Sequence, residues 1–366
     1  MGVGTLIATT DADGRGRLPV DLEHPVSFKE VPTVFFSRQW SESYKYSRPL
    51  ARWLQRKVTD FDVVHVHAVF SHSSLASARA CKRSGIPYVI RPLGSLDPWS
   101  LNQKRFGKRL LWNFGVKQML FGSAAIHYTT AAERRSAELT LGLTDGAVIP
   151  LGVEQELLDE GKASESFRSF YPALRHNPYV LILCRLHPKK SLELFLEVFL
   201  NITETPEFQR WRLVVAGDGS DSYAAHLKNL VRERGADGRI LFTGWLDGAE
   251  KAAALRDGAL LALPSQQENF GLSVVEAMAC GVPVLVTTNV NLAEEIQAAG
   301  AGWVAPLERG ALAHTLEEAL RNEGDRLSRG ISGRNLVLSR FTWSATASGL
   351  TSLYHSVRRT DVSPNG

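Results

Sequence analysis

Sulfur is scarce in this chain, with three cysteines and three methionines in 366 residues. Cys81, Cys184 and Cys280 stand far apart and show no metal-ligand spacing. They read as reduced thiols in apolar surroundings, which excludes a disulfide scaffold and a zinc module. No apolar run reaches the roughly eighteen residues of a membrane-spanning helix. The start, Met1-Gly2-Val3-Gly4-Thr5, has no basic region and acidic residues arrive by Asp11, so no export signal is expected. Internal repeats and low-complexity tracts are missing. A Gly-x-Gly-x-x-Gly turn after a first strand is also missing, which argues against a dinucleotide-dependent oxidoreductase. No Asp-x-Asp motif follows a strand in the C-terminal half, so no metal-holding position is expected there. These absences favour a cytoplasmic protein.

The apolar fraction of 44% and charged fraction of 22% are those of a globular protein. A length of 366 residues exceeds one ordinary core and suits two domains. Charge is uneven. Residues 1–150 carry 20 Lys and Arg against 12 Asp and Glu, a net of +8, and the remainder carries 22 against 26, a net of −4. A basic N-terminal half suits an anionic partner such as a lipid headgroup or a diphosphate. No nucleic-acid motif supports the rival partner.

Apolar strand-like runs alternate with helical patterns, which predicts α/β architecture with mainly parallel sheets. Strands are expected at Thr5 to Thr9, Thr33 to Phe36, Val63 to Val66, Tyr88 to Ile90 and Ala125 to Tyr128. A second set is expected at Val180 to Cys184, Arg212 to Ala216, Ile240 to Thr243, Ala259 to Leu263, Val284 to Thr287 and Gly302 to Val304. The stretch between Pro150 and Pro178 is charged and aperiodic, so a boundary is placed between Val153 and Ser169. The expected domains are 1–155 and 156–342. A last helix over 343–360 carries Leu350, Leu353, Tyr354 and Val357 at helical spacing, and 361–366 is a tail expected to be disordered.

The most informative segment runs from Pro264 to Pro283, PSQQENFGLSVVEAMACGVP. A buried strand enters a polar loop, and a short helix follows. Glu268 lies in the loop and Glu276 in the helix, eight positions apart. Gly271 permits close approach of a ligand to the backbone. Free N–H groups and the positive dipole end at the helix start suit a phosphate. The flanking carboxylates can accept hydrogen bonds from sugar hydroxyls. A surface helix with two solvated glutamates is the plainer alternative.

This segment resembles the E-x7-E motif of the family-four retaining glycosyltransferases, glycosyl transferases group 1. The internal Asn269-Phe270-Gly271 and the ending Glu276-Ala277-Met278-Ala279-Cys280-Gly281-Val282-Pro283 also match. The resemblance implies a GT-B fold: two Rossmann-like domains facing across a cleft that holds a nucleotide-sugar. It covers the C-terminal half and, more loosely, most of the N-terminal half. It also implies that the last helix crosses back to the N-terminal domain.

A second match is Leu183-Cys184-Arg185-Leu186-His187-Pro188-Lys189-Lys190-Ser191, which ends a strand and opens a helix. That is the carboxyl edge of a sheet, where doubly wound folds bind ligands. Two fixed cations there, Arg185 and Lys190, can neutralise a diphosphate and stabilise charge on a leaving group. The family carries an Arg and a Lys at these positions in that role. Cys184 and Ser191 stand where it usually has glycines. The turn Gly217-Asp218-Gly219 is weak alone, but by resemblance lines the nucleoside pocket, as does the backbone around Leu246. The same resemblance gives Glu276 the ribose and Glu268 the transferred sugar, with Asn269, Phe270, Gly271 and Leu272 around the donor.

The N-terminal half is assigned the acceptor. His65 and His67 alternate along one strand and face one side, with His67 at its carboxyl end. Many relatives place a histidine after the following strand. Here Arg91 occupies that place, and Arg91 with Gly94 can grip a phosphate or an acceptor hydroxyl. Thr130 and Glu133 follow the next strand and are placed on the acceptor side. The run Lys104 to Phe114 mixes cations with aromatics. It reads either as a membrane-surface patch near a lipid-linked acceptor or as an amphipathic helix with its aromatics in the core, and the second is favoured. Relative to the family, the sequence is expected to begin at what is usually the second strand, without the first strand and its glycine-rich loop, through a start assigned too late or a truncated form; the alternative is that its early residues are divergent.

The expectation is therefore a metal-independent, retaining hexosyltransferase. It moves a sugar from a UDP- or GDP-type donor, with no other cofactor, to a glycan or lipid-linked acceptor. Surface or extracellular polysaccharide assembly at the inner face of the membrane is the expected setting. The alternatives are a non-catalytic sugar-nucleotide-binding protein, which the short N-terminus favours, and a nucleotide-sugar 2-epimerase, which the E-x7-E segment disfavours.

Overall fold

A computed structural model describes residues 2–14, 16–103, 105–144, 146–159 and 166–358. The chain divides into two compact units, Met1–Ile149 with Ala347–Gly366, and Pro150–Thr346. The expected 361–366 tail and Lys104 lie outside the described residues.

In the first unit β1 (Ile7–Thr10) runs parallel to β3 (Val31–Phe36), and β2 (Pro25–Phe28) pairs with β3 antiparallel. A separate parallel sheet follows the chain in order: β4 (Val64–His67), β5 (Tyr88–Arg91), β6 (Ala125–Tyr128) and β7 (Gly146–Val148). Strands β2 and β7 are absent from the sequence reading. The first has its proline on an edge strand, where no donor is needed, and the second is too short to show a period.

Helices are set by their caps. Helix α1 (Arg48–Lys57) starts where Ser47 accepts from the Leu50 N–H, and it buries Leu50 and Leu54. Helix α2 (His72–Ser84) starts at Ser71 and stops at Gly85, whose φ of 67° needs no Cβ relief. Helix α3 (Ala131–Leu141) starts at Thr130. The last helix, here α8 (Trp343–Val357), places Leu353 in a core with Val89, Ala125 and Ile149, and Leu350, Tyr354 and Val357 pack against it. All four residues of the predicted periodic stripe are engaged.

The second unit is one six-stranded, all-parallel sheet. Its strands are β8 (Tyr179–Leu183), β9 (Arg212–Ala216), β10 (Ile240–Gly244), β11 (Leu260–Leu263), β12 (Val284–Thr287) and β13 (Gly302–Ala305). Their order across the sheet is β10-β9-β8-β11-β12-β13. Both faces are covered, so the strands read as unbroken apolar runs. The covering helices include α4 (Leu192–Thr203), α5 (Gly248–Asp257), α6 (Leu272–Ala279) and α7 (Glu323–Arg340). From β8 the chain winds one way to β9 and β10, then returns to β11 on the other side. The loops after β8 and β11 thus flank a topological switch point, the usual ligand position in open α/β sheets.

Candidate donor site and acceptor-side residues

The two loops at the switch point meet through charge. Lys190 Nζ forms a short ion pair with Glu268 Oε2, and both side chains keep little exposure. The backbone also joins them, since Gln266 N–H donates to the Lys189 carbonyl at 2.8 Å. Glu268 is fixed from its other side by Asn289 O and Asn291 N at 3.1 and 3.0 Å. The Cys184 thiol is pushed up to about 11 by burial, with Lys190 opposing and Glu268 adding to the rise. Arg185 also acts on that thiol, so its charge belongs to the same locality. Arg185 is exposed.

Two glycines let a third loop close on this place. A Cβ on Gly217 would lie 2.0 Å from the Cys184 carbonyl, and one on Gly219 would lie 2.1 Å from the Leu186 carbonyl. Neither position admits a side chain. Leu186 N–H donates to Asp218 O at 2.8 Å and Gly217 N–H to Gly244 O at 2.7 Å, so the loops after β8, β9 and β10 are laced together. Leu246 is buried beside them, while Trp245 is exposed.

Gly271 begins α6 with φ of 75° and no side-chain cap, leaving the first N–H groups of that helix without side-chain acceptors. Phe270 is buried and Leu272 exposed. Asn269 lies 3.5 Å from the Asn291 amide through its side-chain oxygen. Glu276, on the second turn of α6, is buried, and its Oε1 accepts from Lys251 Nζ at 2.9 Å. Lys251 escaped the sequence reading. Its signal was slight: a lysine on the first turn of the helix that follows Thr243-Gly244-Trp245-Leu246. Ser191 Oγ and Ser265 Oγ, one in each switch-point loop, are buried and have no hydrogen-bond partner. Among the described residues no group of three or more His, Cys, Asp or Glu is arranged to hold a metal ion.

In the first unit, His67 and Arg91 pair in register at the carboxyl ends of β4 and β5. The rings of His65 and His67 lie 4.6 Å apart, on one side as expected. His65 Nδ1 shares a 2.7 Å hydrogen bond with the Tyr354 hydroxyl, and His127 Nε2 shares one of 2.8 Å with the Ile149 carbonyl. Burial and the neighbouring charges hold His65 down at about 2 and His127 at about 4.

Thr130 and Glu133 turn inward. The Thr130 hydroxyl caps α3 by accepting from the Glu133 N–H at 3.0 Å. The Glu133 carboxylate accepts from Gly94 N at 2.9 Å, Thr129 N at 2.8 Å and Thr129 Oγ1 at 3.0 Å. Thr130-Ala131-Ala132-Glu133 has the spacing of a capping box, and here the glutamate ties the loop after β5 to the loop after β6. These two side chains shape the loops after β5 and β6 and present little surface of their own.

The basic, aromatic run differs from the favoured reading. Phe106 is 91% exposed, Leu110 60% and Phe114 71%, so these apolar residues face outward and only Trp112 and Leu111 pack against the core. No helix among the described residues is long and apolar enough to cross a membrane.

Comparisons with known proteins bear on the family and the fold. Residues 165–335 match the family described as Glycosyl transferases group 1, and residues 2–152 match the Glycosyl transferase 4-like domain. A phosphatidyl-myo-inositol mannosyltransferase from Mycobacterium leprae is 30% identical over 84% of this chain and 76% of its own. A D-inositol 3-phosphate glycosyltransferase from Frankia alni is 29% identical over 80% of this chain and 74% of its own. Among solved structures, sucrose-phosphate synthase from Thermosynechococcus elongatus superposes with a TM-score of 0.75 at 19% identity, covering 97% of this chain and 89% of that one. HepE from Anabaena, solved in complex with UDP and glucose, gives a TM-score of 0.73 at 18% identity, covering 89% of this chain and 87% of that one. These structural likenesses establish the two-domain GT-B fold.

Proposed function

The chain belongs to the glycosyl transferases group 1 family and is a glycosyltransferase, and from that premise we propose that it takes a nucleoside-diphosphate sugar in its second unit and transfers the sugar with retention at the anomeric carbon. The observation that carries this reading is the Lys190–Glu268 pair across the switch point. A cation and a sugar-binding carboxylate sit together where a diphosphate-linked sugar needs both. Arg185, Lys190 and the open N–H groups at Gly271 stabilise the departing diphosphate. Glu268 accepts from hydroxyls of the transferred sugar, and Glu276 holds the ribose. The acceptor hydroxyl attacks from the face the diphosphate leaves, and a donor phosphate oxygen takes its proton. With those cations in place the transfer proceeds without a metal ion and without a further cofactor.

A UDP-type donor is favoured, because HepE was solved with UDP and glucose. The acceptor is a glycan or lipid-linked molecule taken by the first unit. The phosphatidyl-myo-inositol named for the Mycobacterium leprae relative supports a lipid-bearing acceptor. Outward-facing Phe106, Leu110 and Phe114 beside Arg105, Lys108, Arg109 and Lys117 support contact with an anionic membrane surface. Surface polysaccharide assembly fits such a place. Calorimetric titration with UDP and GDP, with and without a divalent metal, tests the donor site. Metal-independent binding of one nucleotide, lost in Lys190→Ala, is expected. Equal binding by that variant would remove the site from this place.

A further inference from the structure

Arg91 is a cation without a partner. Its Nε is buried and makes no hydrogen bond, and the guanidinium forms no ion pair among the described residues. The carboxylate that acts on it is Glu133. Both Glu133 oxygens are already spent on Gly94 N, Thr129 N and Thr129 Oγ1. A half-buried charge whose only acidic neighbour is occupied is costly unless something outside the chain completes it.

The surroundings are held for such a guest. His67 stands in register beside Arg91 at the end of the adjacent strand; part of the residue is exposed, while burial is the first cause of its lowered pKa. Just past each strand the backbone enters the left-handed region at a non-glycine residue, Ala68 directly after His67 at φ 67° and Leu93 beyond Pro92 at φ 57°. Such strain persists where the fold requires it and concentrates at ligand sites. The fold requires it here through two ties: Ala68 N–H donates to Arg91 O at 3.0 Å, and Gly94 N–H donates to Glu133. The other titratable groups acting on the pair are His65 and His127, and Tyr354 stands behind His65; none of the three offers a negative charge near neutral pH.

The geometry points to an anion pocket formed by Arg91 and His67, which selects an acceptor bearing a phosphate or carboxylate group. This deepens the proposed function and rests on its assignment of the acceptor to the first unit. The planar guanidinium takes two oxygens of the anion through paired N–H donors. His67 donates a third hydrogen bond through the ring nitrogen that carries its proton. The reacting hydroxyl belongs to the rest of the acceptor.

The test is a titration of the full chain with inorganic phosphate, and separately with acetate, followed by the imidazole NMR signal of His67, assigned with His67→Asn. Burial first and the Arg91 charge second hold the His67 imidazole down, to about 4, and each anion that binds offsets the Arg91 part, so the His67 pKa rises saturably. A response to phosphate alone, to acetate alone or to both names the anion. Arg91→Ala is expected to weaken the response at least about tenfold, the value of a charge-assisted hydrogen bond. The melting temperature should hold or rise in Arg91→Ala, because an uncompensated charge has been removed; a fall would mark Arg91 as a structural residue and overturn the pocket. Lys190→Ala should keep the His67 response in full, which separates this pocket from the donor site. No response to either anion in the native chain, or an equal response in Arg91→Ala, also overturns it.

Discussion

Lys251 Nζ and Glu276 Oε1 lie 2.9 Å apart, joining the first turn of α5 to the second turn of α6. Glu276 is nearly fully buried, whereas Lys251 keeps about a quarter of its side chain exposed (27%). The lysine therefore fixes the carboxylate that the donor-site reading gives to the ribose. It keeps the second carboxylate oxygen available while charge-balancing the first.

Removing that lysine should act on donor binding and on stability together. Lys251→Met leaves Glu276 buried with a lost partner, at a cost of about 1–3 kcal/mol. The KM for the nucleotide-sugar is expected to rise with kcat little changed, since Lys251 touches no reacting atom in the proposed scheme. Steady-state kinetics on a demonstrably folded variant checks this. A fall in kcat at unchanged KM would contradict the ribose role.

Ser191 adopts φ 50° at the start of α4, in the left-handed region that glycine tolerates best. Its hydroxyl is buried without a partner. Ser191→Gly should therefore stabilise the second unit by about 1 kcal/mol, since non-glycine residues in this region cost about 1–3 kcal/mol and glycine's unfolded-state entropy offsets part of the gain. Thermal or urea unfolding reads the change directly. A destabilised variant would mean that the hydroxyl is satisfied in solution.

Acid should weaken the first unit through its histidines. His65 and His127 are held at about 2 and about 4 in the fold, below the ordinary 6.5, chiefly by burial and with Arg91 adding to the effect. Above pH 6.5 both are neutral whether folded or not, and they cost nothing. As pH falls from 6.5 towards 4 the unfolded chain takes up protons that the folded chain refuses, so stability drops. The slope approaches about 1.4 kcal/mol per pH unit for each histidine. His65→Asn should reduce that slope by up to one proton between pH 6.5 and 4, whatever it does to stability at neutral pH. An unchanged slope would mean that His65 titrates normally.

The place of the candidate donor site in the fold was legible because it is carried by short segments. Pro264 to Pro283 and Leu183 to Ser191 each hold their own strand end, loop and helix start, so reading either one gives its place at a sheet edge. What escaped depends on distant pairings. Lys251 meets Glu276 across 25 positions, and no local pattern marks it. Glu133 reaches Gly94 across 39, so its place after the Ala125 to Tyr128 strand was readable while its binding partner stayed hidden. Strands β2 and β7 lack a period to read. The outward turn of Phe106 and Phe114 was misjudged for a related reason, because an amphipathic pattern fixes which residues share a face and leaves open whether that face meets a core or something outside the chain.

That outward face yields the last prediction. Between Asp97 and Glu133 the sequence has no acidic residue, while Arg105, Lys108, Arg109 and Lys117 are basic. Phe106, Leu110 and Phe114 follow one another at intervals of four and stay exposed. An exposed apolar row with cations around it matches the interfacial zone of an anionic bilayer, where the rings enter the headgroup boundary and each nearby cation adds about 1 kcal/mol. Co-sedimentation should show binding to vesicles containing phosphatidylglycerol and little binding to pure phosphatidylcholine, with the difference shrinking as salt rises. The double change Phe106→Ser and Phe114→Ser should release the protein from vesicles while nucleotide affinity, which the proposed function assigns to the second unit, stays as it was. Vesicle binding that survives both substitutions would place the membrane contact elsewhere. Equal binding to neutral vesicles would leave the basic residues without the role assigned to them.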